Sequence, residues 1–537
     1  MPHRRLRAFT LLPITWLSAC GAASYAADAD QEVQQLLAVE TQRTLGDRAG
    51  WVVQPQLAPA AEPAPVASAA GQDAVPAAPP VAGAAAPVRQ FDLRSALATA
   101  VSQNREFLAR REGLFRSGLS LALTRFQFGP QFQSALSYLL PLSQGGVGSN
   151  QANVSLSASQ ILPTGGSVAV NGGLGATWPF GPDAADASYG SSAGVTLQQP
   201  LLRGAGRDIA YESLTQAERD ITYQIRDFEN FRESFTIQVT QRFFSLTSQK
   251  KTLANEDRNY ESAVFDRKKA EALQQVGRNS EQEVFRARRR EIEAKDQLIN
   301  ARADYDRALD DFKILLGLPT DVVLDIADEE PPYEPVRFEV GSAVAAALHN
   351  RLDLITARQQ VEDVERALRI SENSLLPDLD LTASFGLTGD ADRVGDAAPD
   401  AWSSQVGLSM EVPLQRKSQR NAYRSALISL EQARRNLRLT EDQLELDIRD
   451  AVRRLRSLEE RVTLQQGQIE QERGAVTVME IRYEAGQVDN RDLLEARQAL
   501  IDAQNALIRL KVEHFVARLN LLKDMGIFFV DDRGMWR

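Results

Sequence analysis

Asp492 and Glu495 lie three residues apart in "RYEAGQVDNRDLLEARQAL", Arg482 to Leu500, so a helix puts both carboxylates on one face. Such a pair favours a helix start through the helix dipole, and it concentrates negative charge where cations would gather. Little else in the chain offers chemistry. There is no Walker loop, no GxSxG and no HExxH. Of the three histidines, His3 sits in a leader-like stretch, while His349 and His514 fall within helical patterns and read as structural. One cysteine, Cys20, allows no internal disulfide, and the chain offers no metal-ligand cluster. The many remaining acids read as solvated helix faces. No enzyme activity and no cofactor are expected, and a net charge of -11 argues against nucleic acid as a partner.

Gly486 interrupts a long helical pattern, and "LQQVGRNSEQEVFRARRRE", Leu273 to Glu291, repeats the interruption at Gly277. Each glycine is followed by a polar residue at +3 (Ser280, Asp489), an acid at +6 (Glu283, Asp492) and apolar residues at +7 and +8. Glycine at a helix end relieves the cost of a left-handed residue, so each motif predicts a helix hairpin tip. The surroundings repeat too. A helical stretch from Phe91 to about Phe126 ends at Gly129 and Pro130; its counterpart ends at Pro377, 247 residues later. Pro200 and Pro413 each precede a long helix, the first predicted at about 65 residues, or roughly 100 Å. In the second, Leu430, Ala433, Leu437, Leu444, Ile448, Val452, Leu455, Leu458 and Val462 keep a coiled-coil-like spacing.

Between helices the period changes to two. In "QANVSLSAS" Val154, Leu156 and Ala158 alternate with small polar residues, and "SVAVN", "SAGVTLQQ", "LDLTASFGL" and "SQVGLSMEV" follow suit, almost without charge. Val154, Leu156, Val168, Val170, Val195, Leu197, Leu379, Leu381, Val406 and Leu408 should share one apolar face. No segment has the 18 or so consecutive apolar residues of a membrane helix, so a membrane crossing would have to use strands. Lipid-facing strands must pair completely and therefore close into barrels, and one chain has too few to do so alone.

The division expected is a signal peptide at 1–19, a lipidated N-terminal segment at 20–57 and a Pro/Ala-rich linker at 58–88. A first repeat follows at 89–318 with strands at about 130–199, then an inter-repeat linker at 319–337. The second repeat covers 338–527 with strands at about 378–413, and 528–537 is a tail. Arg4, Arg5, Arg7 and "AFTLLPITWL" supply the leader signals. "LSAC", Leu17 to Cys20, resembles the lipobox of bacterial lipoproteins, which implies acylation of Cys20; Gly21 after it favours the outer membrane. The alternative is an ordinary signal peptide cut after "ASYAA".

The tandem helix–strand–helix repeat, "QPLLRGAG" at Gln199 to Gly206 and "RYEAG…DLLEA" together resemble the TolC-like outer-membrane efflux protein family, in its lipoprotein branch, over about Phe91 to Ile527. The resemblance implies a mostly α fold in which long coiled-coil-like helices carry strands contributed to a trimeric β-barrel. It implies a homotrimeric channel in the outer membrane, continued as a tunnel through the periplasm, the exit duct of a tripartite efflux pump or type I secretion system. Its partners would be outer-membrane lipid, a periplasmic adaptor (membrane fusion) protein and an inner-membrane exporter. The hairpin tips at Gly277, Ser280, Gly486 and Asp489 match the family's adaptor contacts. Asp492 and Glu495 match its acidic rings at the periplasmic constriction, six carboxylates around one axis. Tyr483 matches a tyrosine that holds the channel closed across to the neighbouring hairpin, where the partner position is Glu283. The supporting arginine is missing; Val488 stands there, and Arg491 would need another geometry. The family norm is two strands per repeat and twelve per barrel, which is the count expected here. Four strand candidates in the first repeat depart from it, as an extra hairpin around "PTGG" giving eighteen or as one long bent pair. The rival reading is a lipid-anchored periplasmic coiled-coil scaffold without a pore.

Overall fold

The computed structural model describes residues 22–48, 51, 89–141, 148–181, 186–278, 280–393, 396–485, 487–488 and 490–536. The leader, Cys20, the linker at 58–88, Gly486 and Asp489 lie outside these residues.

The chain begins with α1 (Ala22–Leu45), a short strand β1 (Arg89–Phe91), α2 (Leu93–Gln103) and α3 (Arg105–Phe128). The single helix expected from Phe91 is thus two. Asn104 separates them: its Oδ1 accepts from Phe107 N at 2.8 Å to cap α3, and its Nδ2 donates to the Leu315 carbonyl at 2.8 Å. A side chain that caps one helix and ties it to a distant strand of backbone outcompetes helix continuation. Strands β2 (Gln131–Leu139), β3 (Gly148–Ile161), β4 (Ser167–Phe180) and β5 (Ser188–Pro200) follow, then α4 (Arg207–Ala210), α5 (Glu212–Gln275) and α6 (Glu281–Leu316). The second half runs β6 (Leu324–Ile326), α7 (Val340–Asn350), α8 (Leu352–Asn373), β7 (Asp378–Ala391), β8 (Ala401–Glu411), α9 (Lys417–Glu484) and α10 (Asn490–Asp524). α5 has 64 residues and α9 has 68, each about 100 Å long.

The six longer strands form one sheet in the order β2-β3-β4-β5-β7-β8, antiparallel throughout. The first repeat therefore contributes four separate strands, neither the family's two nor one bent pair. β5 pairs with β7 from Tyr189↔Ala391 to Pro200↔Asp380, which joins the two repeats edge to edge.

The core lies in the helical body. Phe107, Phe228, Phe231 and Phe235 stack or tilt against one another at 5.3–6.4 Å between ring centres. α1 packs Val33 and Leu37 into this core, so part of the segment expected at 20–57 is a structural helix. Phe528, Val530 and Trp536 of the tail join it as well. The inter-repeat segment is not merely a linker, since β6 pairs in parallel with β1 and buries Leu324 and Ile326. On α9, Leu430, Leu444, Ile448, Val452, Leu455, Leu458 and Val462 are buried as their spacing predicts; Ala433 and Leu437 are half-buried.

Candidate functional site

Two parts of the molecule have a form that demands a function: the sheet and the helix-hairpin ends. In the sheet, cross-strand register decides which side chains share a face. Leu136 faces Val154, which faces Leu174; Val168 faces Leu197, which faces Ala383; Val195 faces Phe385; Leu381 faces Leu408; and Leu379 faces Met410. Every residue expected on the apolar face is on it. None of the described residues covers that face, and Leu136 and Val406 each keep 76% of their surface exposed.

The opposite face carries Gln133, Asn153, Ser155, Ser157, Asn171, Gly173, Thr196, Thr382, Ser384 and Gln405, all small or uncharged. Charge enters it only at the ends, with Asp378, Asp380 and Glu411 beside the helices and Asp390 at the far end. Tyr138, Trp178, Tyr189 and Trp402 lie on the apolar face toward the far ends of their strands, and Trp178 Nε1 donates to the Tyr189 hydroxyl at 3.2 Å. Amphipathic aromatic rings toward one end of an apolar sheet face are the pattern that suits the headgroup level of a bilayer. This belt was not legible in the sequence, because its members lie on four strands whose stagger only the register sets.

At the other end of the long helices, Gly277 adopts φ +72°, and Arg278 N bonds the Leu273 carbonyl at 2.8 Å, closing α5. Ser280 caps α6 by accepting from Glu283 N at 3.3 Å. The first motif is therefore a built hairpin tip. The second lies between α9, ending at Glu484, and α10, starting at Asn490. Asp492 and Glu495 occupy the exposed first turns of α10, and Arg491 pairs with Glu495 at 3.6 Å. That pair is open to solvent, so it contributes little to stability. In the single chain Arg491 thus pairs along its own helix.

The two hairpins lie side by side. Asn255 Nδ2 donates to Asn505 Oδ1 at 2.6 Å, and Arg290 donates to Gln498 Oε1 at 2.7 Å. Arg497 of α10 pairs with Glu480 at 3.1 Å and donates to the Ser262 hydroxyl at 3.4 Å. Tyr483 is half-buried at this junction, with Lys269 Nζ 4.9 Å from its ring centre. Burial raises the Tyr483 hydroxyl pKa, and the charges of Asp266 and Glu283 add to the rise. Asp266 is itself pushed up by burial, against the pull of Arg497 and Lys269, and its Oδ2 has no hydrogen-bond partner. Glu283 lies within electrostatic reach of Tyr483, but in the single chain its carboxylate accepts from Arg286 at 2.7 Å. Asp266 and Lys269 thus lie beside Tyr483 without having been singled out from sequence, since helix spacing cannot say which residues of a different hairpin come near.

His514 is fully buried in α10, with its Nε2 3.6 Å from Glu459 and its ring 4.9 Å from that of Tyr333; burial lowers its pKa. It is a core histidine, as its helical context predicts, and His349 lies exposed on α7. Among the described residues no cluster of potential metal ligands occurs, and no helix is long and apolar enough to cross a membrane.

Residues 343–526 match the family model described as outer membrane efflux protein. The pyoverdine export outer membrane protein OpmQ of Pseudomonas aeruginosa is 24% identical over 353 residues, covering 65% of this chain and 72% of its own length. The outer membrane protein TolC of Escherichia coli is 22% identical over 384 residues, covering 66% and 74%. The structure of CusC superposes with a TM-score of 0.61 at 13% identity, over 81% of this chain and 92% of that one. The Campylobacter jejuni CmeC outer membrane channel superposes with a TM-score of 0.60 at 16% identity, over 81% and 85%. These likenesses to solved structures are of fold.

Proposed function

From a chain whose residues 343–526 carry an outer membrane efflux protein domain, on the fold of TolC-like channels, we propose a homotrimeric outer-membrane channel with a periplasmic tunnel. The observation that carries the reading is the sheet. It is apolar on one side, polar and uncharged on the other except at its ends, bears aromatics toward its far end, and among the described residues is unpaired at both its edges, β2 and β8. Unpaired backbone beside an uncovered apolar face is untenable in water and in lipid alike, unless further copies complete the ring. β2 and β8 run in opposite senses, so β8 of one copy can pair antiparallel with β2 of the next. A water-soluble scaffold would have no use for this face.

In this reading the long helices continue the barrel inward as a tunnel, and the channel is the exit duct of a tripartite efflux pump or type I secretion system. The tips around Gly277, Ser280, Gly486 and Asp489 meet a periplasmic adaptor, which connects to an inner-membrane exporter. Asp492 and Glu495, exposed on the first turns of α10, supply six carboxylates around the axis of a trimer and favour cations at the constriction. Tyr483, held between Lys269, Asp266 and Glu283, braces the two hairpins of one copy against each other, and opening the tip would break that contact. Cys20 carries a lipid that anchors the N-terminus, while the barrel provides insertion independently.

Reconstitution in planar bilayers tests the proposal. The full-length protein should give discrete channels and migrate as a detergent-dependent trimer after enzymatic removal of any lipid. A monodisperse, water-soluble species without conductance would establish the scaffold instead.

A further inference from the structure

We propose that the hairpin of β3 and β4 is part of the barrel wall, so that three copies close eighteen strands and form an outer bore that is wide and selects little by charge. The inference rests on the trimeric channel proposed above and departs from the twelve strands that the family resemblance implies.

Four observations carry it. β3 and β4 lie inside the sheet, between β2 and β5, and not at its edge. β3 pairs with β4 without interruption from Gly148↔Phe180 to Ile161↔Ser167, and among the described residues β2 pairs only with β3. Removing the hairpin from the wall would leave β2 and β5 without these partners. The two-faced pattern runs through the hairpin unbroken: Val154, Leu156, Val170 and Leu174 continue the apolar face, Ser155, Ser157 and Asn171 the polar one. The turn between them is also tied to the wall. Gly206 N donates to the Thr164 carbonyl at 2.9 Å, and Gln199 Nε2 donates to the same carbonyl at 3.1 Å. Gly165 takes φ +92°, and a Cβ there would run into the Gly204 carbonyl oxygen. A loop free of the wall would need neither the glycine nor these bonds.

The occupant of each open edge is a second copy of this chain. Six strands of alternating sense bring β8 of one copy beside β2 of the next with antiparallel polarity, and three copies give an even, fully antiparallel ring. With strands about 4.8 Å apart and tilted about 40°, eighteen strands enclose a backbone diameter of about 36 Å, against about 24 Å for twelve. Allowing about 5 Å of side chain on each wall leaves roughly 26 Å against 14 Å. Along most of that bore the lining is Ser, Thr, Asn, Gln and Gly, with acids confined to the two rims. Hydrophilic cargo of up to about 25 Å would pass, and discrimination would fall to the helix tips.

Electron cryomicroscopy of the full-length protein in lipid nanodiscs, sectioned at the level of Val154, counts the strands directly. Eighteen in one ring is the expected result. A closed trimeric barrel of twelve, with β3 and β4 folded away from the wall, overturns this inference and leaves the channel reading standing. A particle with no closed barrel overturns both. Polyethylene glycol added from the outer side gives a second readout: the bore should admit polymers about 1.9-fold wider than a twelve-stranded one. Exclusion at about 14 Å would refute the wide bore even where the strand count were eighteen.

Discussion

Arginine at position 154 puts the face assignment at risk most directly. Val154 lies mid-strand in β3, between Leu136 of β2 and Leu174 of β4, and is 52% exposed in the single chain. If that face meets lipid near the midplane, Val154→Arg costs about 2–4 kcal/mol per chain. Three symmetric copies bring the cost to roughly 6–12 kcal/mol per trimer, comparable with the whole stability of an ordinary folded protein. Ser155→Arg is the matched control. Its neighbours across the ladder are Ala135 and Gly173, both small, on the face proposed to meet lumenal water, so its charged head stays solvated and the cost is near zero. The assay is the fraction of folded trimer extracted from membranes, followed by urea titration in liposomes. Val154→Arg should lose most of its trimer while Ser155→Arg matches the wild type. Equal behaviour of the two variants, or the reverse order, would refute the assignment of faces.

Four further outcomes concern the helical regions and the N-terminus. Asp492→Asn combined with Glu495→Gln should weaken divalent-cation block and cation selectivity several-fold in planar bilayers, while Tyr483→Phe, which removes the hydroxyl held near Asp266 and Glu283, should raise conductance. Glu233 is buried in α5, where burial and the neighbouring charge of Glu229 push its pKa up to about 8, against Arg48, Lys523 and Arg232. Because the folded state holds the proton more tightly than the unfolded chain does, this group's contribution falls as pH rises from the ordinary carboxylate range through about 8. Glu233→Gln should therefore flatten that decline and stabilise the protein at pH 8 by a few kcal/mol at most, read as a shift in the urea midpoint at pH 5 against pH 8. Cys20→Ser should abolish acylation, detected by mass spectrometry of the mature N-terminus, without preventing trimer assembly.

The sequence by itself determined the elements, because their signals are local. Period-two alternation marked β3, β4, β5, β7 and β8 with residues of their shared apolar face, but not the short β1 and β6. Three- and four-residue spacing marked the buried seam of α9, and Gly277 with Ser280 marked a hairpin tip that the backbone then builds with a left-handed glycine and a side-chain cap. The repeat was legible for the same reason, since each half spells out its own stops with Pro130 and Pro377, Pro200 and Pro413. Pairing was not legible. Which strand lies beside which depends on hydrogen bonds between residues far apart, and alternation is indifferent to the partner. The register of β5 with β7 joins the two repeats within the sheet, and only the place of β3 and β4 inside it decides between four wall strands and two. The belt of Tyr138, Trp178, Tyr189 and Trp402 depends on the stagger of four strands, and the ring of charges around Tyr483 on how two hairpins lie together. Likewise α1 and the tail carry ordinary apolar residues, whose burial against Phe228, Phe235 and Phe515 exists only once the helical body has formed around them.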